Sequence, residues 1–253
     1  MKRKSQIAAW YYEERQPFIG WDFSYLDGRK LEEEPPWSYS ARATELMQQS
    51  SSLLDMGTGG GERLLEMRES WPPKVLVTEG HPPNVEIAKE RLEPLGVAVV
   101  PLSLTRDGAM PFADQEFDLM INRHAAFNCR EVARTLARGG TFLTQQVHGL
   151  WAKDLFDAFD AVPQWPDSTP QYYVPRLEAA EMHVVTVEEW RGKLAFVDVG
   201  ALVYFLKAVP WIVPDFSVDA YVDYLFALQR RLERNGELAF EARTYLIEAQ
   251  KRL

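Results

Sequence analysis

The chain has 253 residues, 46% of them hydrophobic and 26% charged, which is enough to bury a sizeable core and too apolar for a disordered segment. A formal net charge of -9 argues against a general nucleic-acid binder, and the single cysteine, Cys129, excludes an intramolecular disulfide and a cysteine metal cluster. The longest apolar runs, such as "VGALVYFL", fall well short of a bilayer, and the basic N-terminus has no apolar stretch before Glu13 and Glu14. Neither a spanning helix nor a signal peptide is expected, and a reducing cytoplasm is the simplest setting.

Residues 1–48 read as a helical and loop cover, interrupted by the acidic, proline-rich "LEEEPPWSYS". Residues 49–253 read as one larger domain, with a ligand-binding half over 49–150 and a cover with final strands over 151–253. From Ser51, short apolar runs alternate with helical patterns. "SLLDM" is a predicted strand and "ERLLEMRES" a helix; "KVLVTE" is a strand and "NVEIAKERLEPLG" a helix, with His81 as N-cap, Pro82 at the first helical position and Gly96 as its stop. "VAVVPL" and "FDLMIN" follow as strands. "EVARTLARGG" reads as a helix ending in glycine, and "TFLTQQV" as a fifth strand. Such alternation implies right-handed crossovers and a parallel sheet covered on both faces. Beyond Val147, "MHVVTVEEW" alternates as a strand, "VGALVYFLKAV" and "SVDAYVDYLFALQRRLERNG" read as helices, and "ARTYLIEAQK" as a final strand.

The first strand runs into a turn with four glycines in the five positions from Gly57 to Gly61. Glycine lets backbone approach a ligand that a Cβ would block, and in an open parallel sheet ligands bind beyond the carboxyl ends of the strands. The dinucleotide fingerprint G-x-G-x-x-G fails at its third glycine, where Glu62 stands, and a nicotinamide oxidoreductase fails with it. No lysine follows, so the phosphate-binding P-loop fails too. Asp55-Met56-Gly57-Thr58-Gly59-Gly60-Gly61 instead follows the order D-x-G-x-G-x-G. In this it resembles the class I S-adenosylmethionine-dependent methyltransferases, and in flavour their type 11, ubiquinone-biosynthesis-like group. "MPFADQEFDLMIN" and "LARGGTFLTQQV" resemble later segments of the same family, so the resemblance covers roughly Ser51 to Val147.

The resemblance implies a Rossmann-like, seven-stranded, mostly parallel sheet with helices on both faces, an antiparallel last strand and a helical cover. It implies S-adenosyl-L-methionine as cofactor, with Asp55, Gly57, Thr58, Gly59 and Gly61 around it. Glu79, 24 residues after Asp55, and Gly80 fall where the family holds the ribose; taken alone, Glu79 is an ordinary strand-end carboxylate. Leu104 and Thr105 take the adenine position through their backbone, because the family's acid is missing there and Asp107 comes slightly late. Asn122 and Arg123 share the site. Arg123 fits the methionine carboxylate, an acidic substrate or a plain surface role. His124 is the strongest general-base candidate, with a structural role as the alternative. Trp37 and Tyr39 are the first choices for lid residues near the sulfonium.

A small-molecule acceptor is the leading expectation, at an O, N or C atom. RNA or protein methylation and a non-catalytic cofactor-binding regulator are the alternatives; the Asn/Asp-Pro-Pro-Tyr/Phe motif of base-amino methyltransferases is absent. Trp10, Tyr11, Tyr12, Trp21, Phe23, Trp165, Tyr172, Tyr173, Tyr204, Phe205 and Trp211 suit an apolar or aromatic acceptor, and equally suit packing of the cover. His148 is expected to be exposed, His183 structural and Cys129 a small core residue. The four histidines lack metal-ligand spacing, and no metal is expected. Oligomeric state is not encoded in any pattern found.

Overall fold

The computed structural model describes residues 2–18 and 22–253, Lys2 by its backbone alone; Trp21 lies outside them. In chain order the elements are α1 (Lys2–Glu14), β1 (Lys30–Glu32), α2 (Tyr39–Met47), β2 (Ser52–Met56), α3 (Glu62–Glu66), β3 (Lys74–Glu79), α4 (Pro82–Leu92), β4 (Ala98–Pro101), β5 (Phe117–Arg123), α5 (Cys129–Thr135), β6 (Leu136–Val147), α6 (Lys153–Asp157), α7 (Pro170–Ala179), β7 (Met182–Phe196), α8 (Val199–Ala208), α9 (Val222–Asn235) and β8 (Leu238–Lys251). The strands lie in the order β1-β7-β8-β6-β5-β2-β3-β4. From β4 to β6 all neighbours are parallel; β8 runs antiparallel to β6, and β1 antiparallel to β7. No helix among the described residues is long and apolar enough to cross a membrane.

Two compact units make up the chain. One comprises Pro36–His148, Asp167–Glu189 and Thr244–Leu253, and the other Met1–Pro35, Gly149–Pro166 and Trp190–Arg243. The first unit is layered by strand alternation. Leu53, Val77, Leu119 and Leu143 point to one face and meet Ala43 and Met47 of α2, Leu64 of α3 and Leu92 of α4. Leu54, Met56, Met120 and Phe142, each an odd number of residues from its strand-mate in the first set, point to the other face and meet Val132 of α5 and Tyr173 and Leu177 of α7. Its strands therefore read as continuous apolar runs rather than as alternating ones. The second unit has its own core, in which Leu202 and Leu206 of α8 pack with Trp10 of α1 and Leu225 of α9. Trp10 meets Phe226 edge-on at 4.8 Å, and Arg29 joins Glu13 to Asp198 at 2.8 Å each.

Most predicted elements form, with four differences. The segment expected to be helix and loop before residue 48 contributes β1, so the sheet has eight strands rather than seven. The helix expected over "EVARTLARGG" ends at Thr135, and Leu136–Gly140 belong to β6. Leu136 pairs with Phe117, and the register shifts before Leu119 meets Thr141. Gly139, at φ +73°, and Gly140, where a Cβ would lie 2.8 Å from the Asp118 carbonyl, allow that bulge. The helix expected from Ser217 begins at Val222. Finally, α6 and α7 were unread in the loose stretch beyond Val147, although Thr169-Pro170 marks the start of α7: the Thr169 hydroxyl accepts from the Tyr172 N–H at 3.2 Å.

In the first unit α2 is fixed to β8 by Arg42, whose Nε and Nη2 each donate to Glu248 at 2.7 Å. Glu248 is buried. Removing its partner leaves a carboxylate without compensation, so Arg42→Ala should destabilise the protein by about 2 kcal/mol and the double variant R42A/E248Q by clearly less. Urea unfolding of the three proteins checks this.

Candidate functional site

β2 and β5 are adjacent and parallel, with Asp55 opposite Ile121 and Met56 opposite Asn122. Their carboxyl ends open side by side, and the residues singled out by the sequence converge there. The turn after β2 is pinned from β3. The Gly57 N–H donates to the Thr78 carbonyl at 3.0 Å, the Thr58 N–H to the same carbonyl at 2.9 Å, and the Gly59 N–H to a Glu79 carboxylate oxygen at 2.8 Å. The second Glu79 oxygen accepts from the His81 N–H at 2.7 Å, which leads into α4. His81 occupies the N-cap position without a side-chain capping bond, and Pro82 opens the helix. Two glycines are required here for distinct reasons. Gly57 has φ +74°, and a Cβ on it would lie 2.5 Å from the Ala125 Cβ. Gly59 has φ +65° and nothing within 4 Å of its missing Cβ, so its outer face is open. Gly61 starts α3 at φ +84°, and Gly80 lies so close to Ser103 that a Cβ would come within 2.7 Å of its Cα.

The buried polar groups at this edge are unusual. Asp55, Glu79, Asn122, Thr144, Gln145 and Gln146 are all buried at the carboxyl ends of β2, β3, β5 and β6. Burial pushes the Asp55 carboxyl up to about 6; the neighbouring Thr58 hydroxyl opposes this, and the Glu79 charge adds to it. Among the described residues, the buried side-chain atoms without a hydrogen-bond partner are Tyr39 Oη, Thr58 Oγ1 and Asn122 Nδ2. All three belong to this edge. Burial raises the Tyr39 phenol well above its ordinary range, the Asp55 charge adds to this, and Arg123, the Asn122 backbone and Arg63 oppose it. Tyr39 thus stands among Asp55, Arg123 and Arg63. Asn122 is held by its oxygen, which accepts from Gln146 Nε2 at 2.7 Å, leaving its amide N–H₂ directed elsewhere.

His124 follows β5 with φ +69°, a left-handed conformation uncommon outside glycine and concentrated at functional sites. Its N–H donates to the Gln145 carbonyl at 3.0 Å. Surrounding protein atoms, Arg123 and Arg63 hold its imidazole below the ordinary range, while its exposure leaves one side of the residue in water. The ring is therefore neutral at physiological pH, and the same lowering makes it a weak base. Trp37 Nε1 donates to Gln145 Oε1 at 2.9 Å. Leu104 is half-buried and Thr105 exposed; the Thr105 hydroxyl is engaged by Asp107 and the Gly108 N–H in their own loop.

His148 corrects an expectation: it is buried, with its ring 6.2 Å from and edge-on to Tyr245. His183 is exposed on β7. Cys129 is buried, and burial pushes its thiol up to about 11, which makes it inert as a nucleophile. Of the aromatic residues, Tyr173 stacks on Phe127 at 4.3 Å, while Trp10, Phe23, Tyr204 and Phe205 pack within the second unit. Sequence reasoning passed over Arg63 and Gln146. Gln146 had a signal, since "TQQ" interrupts the apolar run of a strand buried on both faces; Arg63 had none.

This arrangement fits S-adenosylmethionine. A carboxylate at the end of β3 with lone pairs beyond its two backbone bonds suits a diol. An open glycine turn suits a close-lying nucleoside. Unpartnered hydroxyl and amide groups beside two guanidiniums and a carboxylate suit a zwitterionic amino-acid end.

Comparison with known proteins bears on the domain and the fold. Residues 54–144 match the family model of the methyltransferase domain. The fold is similar to that of a protein from Bacillus halodurans described as a candidate methyltransferase, with TM-score 0.59 and 16% identity over 85% of this chain and 97% of that one. It is similar to the YcgJ protein of Bacillus subtilis, with TM-score 0.57 and 18% identity over 85% of this chain and 98% of the other. A functionally unknown protein from Deinococcus radiodurans aligns over 99% of this chain and 100% of its own, with TM-score 0.59 and 12% identity. No curated protein sequence matches the chain.

Two measurements test the site as built. Asp55 has a folded pKa above its unfolded one, so the folded state binds the extra proton between about pH 4 and 6 and loses stability as pH rises through that window. Asp55→Asn removes the charge and should raise stability at pH 7.5 by on the order of 2–3 kcal/mol, with the gain gone at pH 4. Denaturant unfolding at the two pH values reads this directly. Gly57→Val should abolish S-adenosylhomocysteine binding by titration calorimetry, since its side chain would strike Ala125 and strain the left-handed backbone.

Proposed function

We propose that this chain, whose residues 54–144 match the methyltransferase-domain model, is a class I S-adenosylmethionine-dependent enzyme that methylates an O, N or C atom of a small molecule. One observation carries the placing of the cofactor: the unpartnered Tyr39 Oη, Thr58 Oγ1 and Asn122 Nδ2 share one strand edge with Asp55 and the glycine turn. When bound, the cofactor supplies an already electrophilic sulfonium methyl, so the protein's task is alignment and exclusion of water. Glu79 accepts hydrogen bonds from the ribose hydroxyls while still holding Gly59 and His81. Leu104 and Thr105 border the adenine. Arg123, Arg63 and the Tyr39 hydroxyl face the carboxylate of the methionine end, and Asp55 and the Asn122 region face its ammonium. His124 lines the acceptor side as a neutral ring able to accept a hydrogen bond; its lowered pKa favours an acceptor that needs no strong base. Trp37, tethered to Gln145, closes the side of the site next to Tyr39. A net charge of -9 favours a small acceptor over RNA, and a cytoplasmic setting goes with this reading.

Titration with S-adenosylhomocysteine, 5′-methylthioadenosine and NADH tests it. Micromolar binding of the first is expected, much weaker binding of the second because it lacks the amino-acid end, and none of the third. Glu79→Ala should weaken S-adenosylhomocysteine binding by about 1.5–3 kcal/mol, roughly 10- to 150-fold. Equal affinity for the first two ligands would defeat the assignment of Tyr39, Arg63 and Arg123. Wild-type affinity in the Glu79 variant would defeat the ribose assignment. A screen of acceptors by methyl transfer then separates an enzyme from a cofactor-binding regulator.

A further inference from the structure

The two edges of the sheet are treated differently. β4, at one end, is four residues long and finishes in Pro101. Shortness and proline are the usual means of blunting an edge. At the other end β1 pairs with β7 only at Leu194, Ala195 and Phe196. From His183 to Glu189 the outer side of β7 has no strand against it among the described residues. That stretch, "HVVTVEE", contains no lysine, proline or glycine. It has β-branched side chains at four of seven positions, and Val185 and Val187 are 47% and 40% exposed. Of the usual edge-blocking devices it carries only the charges of Glu188 and Glu189 at its end.

We propose that this edge pairs with the same edge of a second copy of the chain, joining two sheets antiparallel across a two-fold axis at Thr186. The sequence of the strand argues for a second copy in particular. A two-fold axis normal to the sheet keeps each side chain on its own face, so only residues of equal parity stand opposite one another. Centred on Thr186, the pairing sets Val185 against the partner's Val187 and His183 against the partner's Glu189, each pair twice. Strand alternation assigns all four positions to one face, and all four residues are exposed. Apolar meets apolar, and a carboxylate meets a group that donates to it. Neighbouring registers lose the His183–Glu189 match: centring on Val185 sets Glu181 against the partner's Glu189, and centring on Val187 sets Val185 against it; the register at Thr186 sets Val184, packed against the core, beside the partner's Glu188 on the other face. Glu189 keeps lone pairs for the contact, since Gln171 Nε2 occupies Oε1 at 2.9 Å and His148 Nε2 is 4.0 Å from Oε2. The pairing is independent of the cofactor site.

Sedimentation velocity on the full chain from 1 to 100 µM tests this. The wild type should move toward twice 29.1 kDa with rising concentration. The variant V185K/V187K sets lysine against lysine in this register and should stay monomeric. The variant V185K/V187E sets lysine against the partner's glutamate and should recover the dimer. Far-ultraviolet circular dichroism and S-adenosylhomocysteine binding, unchanged in both variants, establish that they fold. A wild type that is monomeric throughout overturns the proposal. So does a V185K/V187K variant that remains dimeric, which would locate the interface elsewhere. A monomeric V185K/V187E variant beside a monomeric V185K/V187K variant overturns the register.

Discussion

The Glu79 carboxylate is the tie on which the glycine turn depends. One oxygen receives the Gly59 N–H and the other the His81 N–H, so a single side chain links the loop after β2 to the start of α4. A turn with glycine at four of five positions has large conformational entropy to lose, and few side-chain contacts of its own to offset that loss. Its order comes instead from β3, through the Thr78 carbonyl and Glu79. The same residue that would face a ribose therefore also shapes the surface under it. A charge-assisted bond to a backbone N–H also tethers the carboxylate, so little side-chain freedom remains to be lost on binding.

Around that tie the first unit divides its strands by depth. Toward their middles they carry leucine, methionine, valine and phenylalanine on both faces, and the helices bury these in two separate layers. At their carboxyl ends they carry aspartate, asparagine, threonine and glutamine, equally buried. Burying such groups is unfavourable unless each finds a partner, and at this edge three atoms do not. The apolar layers supply the stability from which this polar rim is offset. A fold optimised for stability alone would put a leucine where Asn122 stands.

Much of this was legible before any coordinates. The order of acid and glycines announced the turn, and the resemblance singled out Glu79 for a ribose, but its bonds to Gly59 and His81 were not foreseen. The parallel strands were visible because apolar runs bounded by helices have few other readings. What failed was non-local. β1 is three residues long and exists only because β7 extends far enough to receive it, and nothing in "KLE" signals a strand. Leu136–Gly140 look helical in isolation, since arginine, alanine and leucine are good helix formers. They become strand because Leu136 meets Phe117 and Gly140 packs against Asp118. His148 follows a strand end, where exposure is the reasonable guess, and it is buried by Tyr245 from a strand some hundred residues later. Arg63 was invisible because an arginine on a helix has no pattern to distinguish it from a solvated one.

The place of β8 bears on how the molecule is made. It comes after both β6 and β7 in the sequence, yet it lies between them in the sheet. A ribosome releases it after both. Until then the growing chain holds β6 and β7 with facing edges and no strand to fill the gap, and Arg42 waits for Glu248. Tyr245, buried beside His148, also arrives only at that point. The nascent protein is thus exposed to mispairing until β8 is made, and completion of the sheet is closing of a gap rather than growth at an edge.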